Sequence, residues 1–125
     1  MIKAMLIAGC GGFIGTCLRF LTGKFFNFVS HSGFPWGTFA VNIVGSFLIG
    51  IFFGLAEKTQ LISPQMNVFL ITGFCGGFTT FSSFADDMYL LVQNKNWLYF
   101  LVYVGFSFLL GLVLVWLGRS IVRPA

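Results

Sequence analysis

The side chains in this sequence that could do chemistry are hydroxyls, amides and aromatic edges, and they gather in one place. Gly73-Phe74-Cys75-Gly76-Gly77-Phe78-Thr79-Thr80-Phe81-Ser82-Ser83-Phe84 sets four hydroxyl residues and three glycines inside an apolar stretch. In hydrocarbon an unpaired backbone or hydroxyl group costs several kcal/mol, so such a segment survives only where protein buries it or where it lines a polar passage. It is read as the wall of an ion pathway. Phe81 and Phe84 stand three apart and share a helix face, with Ser82 and Ser83 on the flanking faces. Ring edges carry the positive part of the quadrupole and hydroxyls donate hydrogen bonds, so this surface can solvate an anion without a fixed positive charge. Ordinary core packing is the plainer use of such a pair.

Other polar residues sit at similar depth. Asn42 falls midway along an apolar stretch, where an amide is costly unless bonded, and its NH2 adds two donors. Helix-to-helix glue would account for it as well. Tyr103 and Ser107, four apart, put hydroxyls on one face of the last stretch. Arg19 is a strong cation well inside the first stretch; it either reaches a water-filled vestibule, where it raises the local anion concentration, or snorkels to an interface. Gly76 and Gly77, directly before Thr79-Thr80, weaken helix propensity, and a break there would free carbonyls able to hold a cation. Asp86 and Asp87 suit a pathway mouth or a solvated helix end equally, and His31 has no ligand neighbours in sequence.

These residues need helices to hold them. With 58% hydrophobic and 8% charged residues and a mean hydropathy of +0.96, the 125-residue chain has too little polar surface for a water-soluble globule. It reads as an all-α membrane protein forming a single transmembrane domain, with four spans at about 3–26, 36–56, 65–92 and 97–122. Ser63-Pro64 is a favourable start for the third. At ~28 residues and ~1.5 Å each, that span would measure ~42 Å against a ~30 Å hydrocarbon core, which fits a helix broken mid-membrane. Gly11/Gly15, Ser46/Gly50/Gly54 and Gly73/Gly77 recur at four-residue spacing and let backbones approach closely.

The net charge of +4 comes from basic residues scattered singly near the ends of apolar runs, so there is no polybasic patch and nucleic acid is not an expected partner. Cys10, Cys17 and Cys75 have no C-x-x-C spacing and read as small packing residues. The apolar run before Cys10 is too short for a signal-peptide core and continues through Leu21, so processing there is not expected.

Gly15-Thr16-Cys17-Leu18-Arg19, Gly37-Thr38-Phe39-Ala40-Val41-Asn42 and the string from Gly73 to Phe84 resemble the signatures of the bacterial CrcB/Fluc fluoride channels. The resemblance covers all four spans in order. It implies a fluoride-selective channel in the bacterial cell membrane that exports fluoride passively and confers fluoride resistance. It further implies an antiparallel, dual-topology homodimer with narrow fluoride pores and a structural sodium ion at the dimer interface. Carried over, it makes Phe81 and Phe84 pore-lining aromatics, Asn42 a fluoride-coordinating amide, and Ser82 and Ser83 hydroxyls of the track. It also sets Thr38 and Ser107 near the ion path, Arg19 at the vestibule, and the Gly76 and Thr79 carbonyls on sodium.

Two other classes are open to a chain of this size. A small dual-topology multidrug exporter places a carboxylate in its first span, and this sequence has none there. A non-transporting assembly subunit would need no polar track. No nucleotide motif, metal cluster or proton-relay carboxylate suggests an enzyme or coupled energy. Lys3, Lys58, Arg119 and Arg123 fall on one side of the membrane and Lys24 and Lys95 on the other, a weak bias that fits insertion in both directions.

Overall fold

The computed structural model describes residues 1–123; Pro124 and Ala125 lie outside the described residues. The chain is all helical, and four of its helical segments are long and apolar enough to cross a membrane. They are α1 (Ile2–Val29), α2 (Trp36–Lys58), a third span (Pro64–Gln93) and α5 (Trp97–Ile121). The third span is interrupted: α3 covers 64–78, residues 79–81 leave the helix, and α4 covers Ser82–Gln93. All four spans lie close to the expected boundaries, and the anticipated break is present.

Local chemistry explains the ends. Ser63 caps α3 by accepting the Met66 amide at 3.1 Å, with Pro64 in the first turn, where its missing N–H costs nothing. Asn96 caps α5 by accepting the Tyr99 amide at 3.3 Å. Lys58 donates to the Arg119 carbonyl at 2.7 Å and to that of Val122 at 3.3 Å, while Arg119 pairs with Glu57 at 2.7 Å. These contacts tie the second loop and the end of α5 to the same side of the bundle.

The break is also where the third span changes partners. α3 packs along α1, whereas α4 packs on α5, and α2 lies along α5 and also touches α1. The residues dictate this exchange. A Cβ at Gly73 would stand 2.5 Å from the Ala8 carbonyl oxygen and one at Gly77 2.5 Å from that of Gly12, while Gly11 and Gly15 face the Phe69 and Phe74 carbonyls. Only glycines permit that approach. Beyond the break, Phe84, Leu91 and Tyr103 form the buried cluster between α4 and α5, with Phe34 and Phe39 against it. Lipid tails are as apolar as leucine, so dispersion and shape hold these helices together rather than the hydrophobic effect.

Gly73→Val should therefore destabilise the bundle by about 3 kcal/mol, since backbone and not a flexible side chain must move. Gly105→Ala, where nothing lies within 4 Å, should be neutral. Thermal unfolding in detergent compares the two, and equal melting would remove the close-packing argument.

One feature departs from an ordinary helix. Val68–Cys75 forms a wide π-helical turn within α3. Such turns are rare and shift the register of the helix beyond them.

Candidate ion pathway at the helix break

Thr79 is extended (φ −89°, ψ 161°), and this single residue ends α3. Gly76 and Gly77, expected to mark the break, are still helical; the missing side chain of Gly77 serves the approach to α1, and the chain leaves the helix only after Phe78. The Thr79 amide and hydroxyl both turn back to the Cys75 carbonyl, at 3.0 and 2.8 Å. Thr80 then meets Asn42 in a reciprocal pair. Its amide donates to Asn42 Oδ1 at 2.8 Å, and Asn42 Nδ2 donates to the Thr80 carbonyl at 2.9 Å. Donor and acceptor cannot be exchanged, so this pair fixes the amide's orientation. One Asn42 N–H is left for another acceptor. On the far side, the Thr80 hydroxyl accepts the Ser83 amide at 3.2 Å and so satisfies one amide in the first turn of α4.

The interruption sets opposite partial charges side by side. The carbonyl end of α3 is negative, and the amide end of α4, dressed with the Thr80, Ser82 and Ser83 hydroxyls, is positive. No hydrogen bond among the described residues reaches the carbonyl oxygens of Gly76 or Thr79. Two neutral oxygens of this kind suit a hard cation, the role the resemblance implies for them.

Two open clefts flank the break. The first, of about 310 Å³, is lined by Asn42, Ser46, Thr80, Phe81, Phe84 and Ser107 among others. Ser107 Oγ is buried in this region without a partner, a donor held in reserve. The Phe81 and Phe84 rings stand 6.2 Å apart; Phe84 is 4% exposed and Phe81 74%. The second cleft, of about 220 Å³, is lined by Arg19, Lys24, Asn27, Thr38, Thr80 and Ser83 among others. Thr80 lines both. The expected site residues thus fall into two groups joined at the Asn42–Thr80 clamp. Ser82 lines neither cleft: it is exposed, with its hydroxyl 3.4 Å from that of Thr80.

Sequence reasoning assigned no definite role to two of these residues. Thr80 is the hinge of the arrangement, and Asp87 accepts the Tyr103 hydroxyl at 3.1 Å. Tyr103 is fully buried, with the Thr38 hydroxyl beside it. Helical spacing places Tyr103 toward α4, but no local pattern reveals a carboxylate waiting there.

A family model described as CrcB-like protein, Camphor Resistance (CrcB), matches residues 6–119. The chain belongs to the CrcB-like family. Its relatives include proteins named fluoride-specific ion channel FluC. That of Chlorobium luteolum is 44% identical over 121 residues, covering 97% of this chain and 93% of the relative. Those of Chlorobaculum tepidum and Flavobacterium psychrophilum are 42% and 41% identical, each spanning 98% of this chain and 97% and 98% of theirs. This CrcB-like chain therefore matches them nearly end to end, with all four spans included.

Proposed function

We propose that this CrcB-like protein is a fluoride channel of the bacterial cell membrane, giving passive export that lowers cytoplasmic fluoride. The observation that carries the reading is the break itself. It presents the Thr80 and Ser107 hydroxyls and an Asn42 N–H beside the Phe81 and Phe84 rings, in a cleft that no carboxylate among the described residues lines. Fluoride is small and tightly hydrated, so only a dense set of short-range donors can replace its water. Fixed lysines or arginines along the path would instead hold anions generally and release them slowly.

A single chain leaves its first cleft open and Phe81 mostly uncovered. A second copy, inverted in the membrane, would close it, and the isologous contact would bring the two breaks together at the symmetry axis. There the Gly76 and Thr79 carbonyls of both copies would supply four oxygen ligands to a structural sodium ion. When bound, the ion would neutralise the carbonyl ends of both α3 helices. A multidrug exporter is not favoured, because no acid stands in α1.

Purified protein in liposomes should release loaded fluoride at least about a hundredfold faster than chloride, since chloride cannot recover its hydration energy in so tight a path. Equal rates for the two ions would overturn the proposal. Reporters fused after Ala125 should appear on both sides of the cell membrane, because the Lys/Arg bias between the two faces is weak. A C-terminus found on one side only would remove the inverted homodimer.

A further inference from the structure

We infer that Arg19 is a positioning residue that closes the carbonyl end of α3, rather than a collector of anions or an interfacial anchor. Ending a helix at Phe78 strands its last carbonyls, because Thr80 gives its amide to Asn42 and the residues after it begin α4. Cys75 keeps partners through Thr79. Gly77 receives one from another helix: Arg19 Nε donates to its carbonyl at 2.9 Å. The bond is charge-assisted and puts a cation on the negative end of the α3 dipole.

The approach is built into the backbone. α1 runs so close to α3 that a Cβ at Gly77 would also stand 3.0 Å from Thr16 Oγ1, one turn before Arg19. Because the bond uses Nε, close to the main chain, the rest of the guanidinium is left to line the second cleft beside Thr38, Thr80 and Ser83. Snorkelling does not describe this arrangement. Arg19 Nε is spent on a carbonyl of a neighbouring helix rather than directed along α1 toward the helix end. Lys24, exposed over the Phe20 ring at 5.4 Å, is better placed for that. The consequence for the site is a division of labour: with Gly77 capped, its negative carbonyl is masked toward the anion-facing cleft, while Gly76 and Thr79 remain free for a cation.

Hydrogen exchange of purified protein in lipid nanodiscs tests this, read by mass spectrometry on peptides covering the break. Arg19→Met should speed exchange of the break amides by about tenfold, because the end of α3 frays without its cap. Arg19→Lys keeps a charged donor and should stay within about threefold of the unaltered protein. Should Arg19→Met not fold, Arg19→Gln, which keeps a neutral donor on a shorter stem, should exchange faster than Arg19→Lys, and equal exchange in Gln, Lys and the unaltered protein would overturn the assignment. Equal exchange in all proteins, or equal acceleration by Lys and Met, would overturn the assignment. Fluoride flux supplies an independent reading: a cap predicts that the Arg19→Met deficit persists at 1 M salt. An anion collector predicts a deficit that vanishes there, the Debye length having fallen to about 3 Å. Recovery at high salt, with unaltered exchange, would likewise overturn it. Only the flux reading rests on the proposed channel function; an unaltered protein inert toward fluoride would sink that function and leave the exchange comparison standing.

Discussion

Asn42→Leu should cut fluoride efflux from liposomes by at least about a hundredfold, a barrier change near 3 kcal/mol. Leucine keeps the branched outline of the amide, at a larger volume, and loses its donor and acceptor. The two bonds to Thr80, at 2.8 and 2.9 Å, pair a backbone donor and acceptor that have no helical partner. Each group left unpaired in a low-dielectric interior costs about 1–3 kcal/mol. The strand of residues 79–81 would then seek other partners, and the clefts on either side of Thr80 would change shape together. Asn42→Asp separates the two roles of the amide. A carboxylate can still accept the Thr80 amide, but it faces the Thr80 carbonyl with no donor and brings a negative charge into an anion path. It should therefore lose flux as fully as leucine. Efflux near the unaltered rate in either variant would show that Asn42 neither holds the break nor meets the ion.

The four spans were legible because membrane helices must satisfy their own backbone, so length, hydropathy and capping residues such as Ser63 and Asn96 suffice to bound them. The existence of the break was legible from excess length and from polarity at depth. Its position was not. Local propensity points at Gly76 and Gly77, yet both stay helical, with α1 packed directly on Gly77, and the chain opens only where Asn42 offers a rival partner from another helix. A competitor 38 residues away in sequence leaves no trace in a local pattern. The π-helical turn is hidden for a different reason: Val68–Cys75 is apolar on nearly every side, so no periodicity distinguishes its wider turn from an ordinary one. The division of the polar residues between two clefts also depends on helix rotation, which Ser82 illustrates by turning outward while Ser83 turns in.

Phe81→Ile and Phe84→Ile should each lower fluoride flux by about tenfold or more, but they should differ in what else they change. Phe84 is packed, with its ring edge-on to Tyr103 at 4.9 Å and to Phe108 at 5.9 Å. Isoleucine there forfeits those contacts, so melting of the protein should fall along with its flux, by about 1–3 kcal/mol of stability. Phe81 is 74% exposed in the single chain and contributes little to its packing. Its substitution should leave monomer folding almost untouched and still suppress transport, because an aliphatic side chain offers no positive ring edge to an anion leaving its water. That contrast makes Phe81 the sharper test. If Phe81→Ile conducts at the unaltered rate, the aromatic edge is not part of the path and the pair serves only as core. If Phe81→Ile instead lowers stability as much as Phe84→Ile, then Phe81 is covered in the assembled protein, and the second copy that covers it stands against the first cleft.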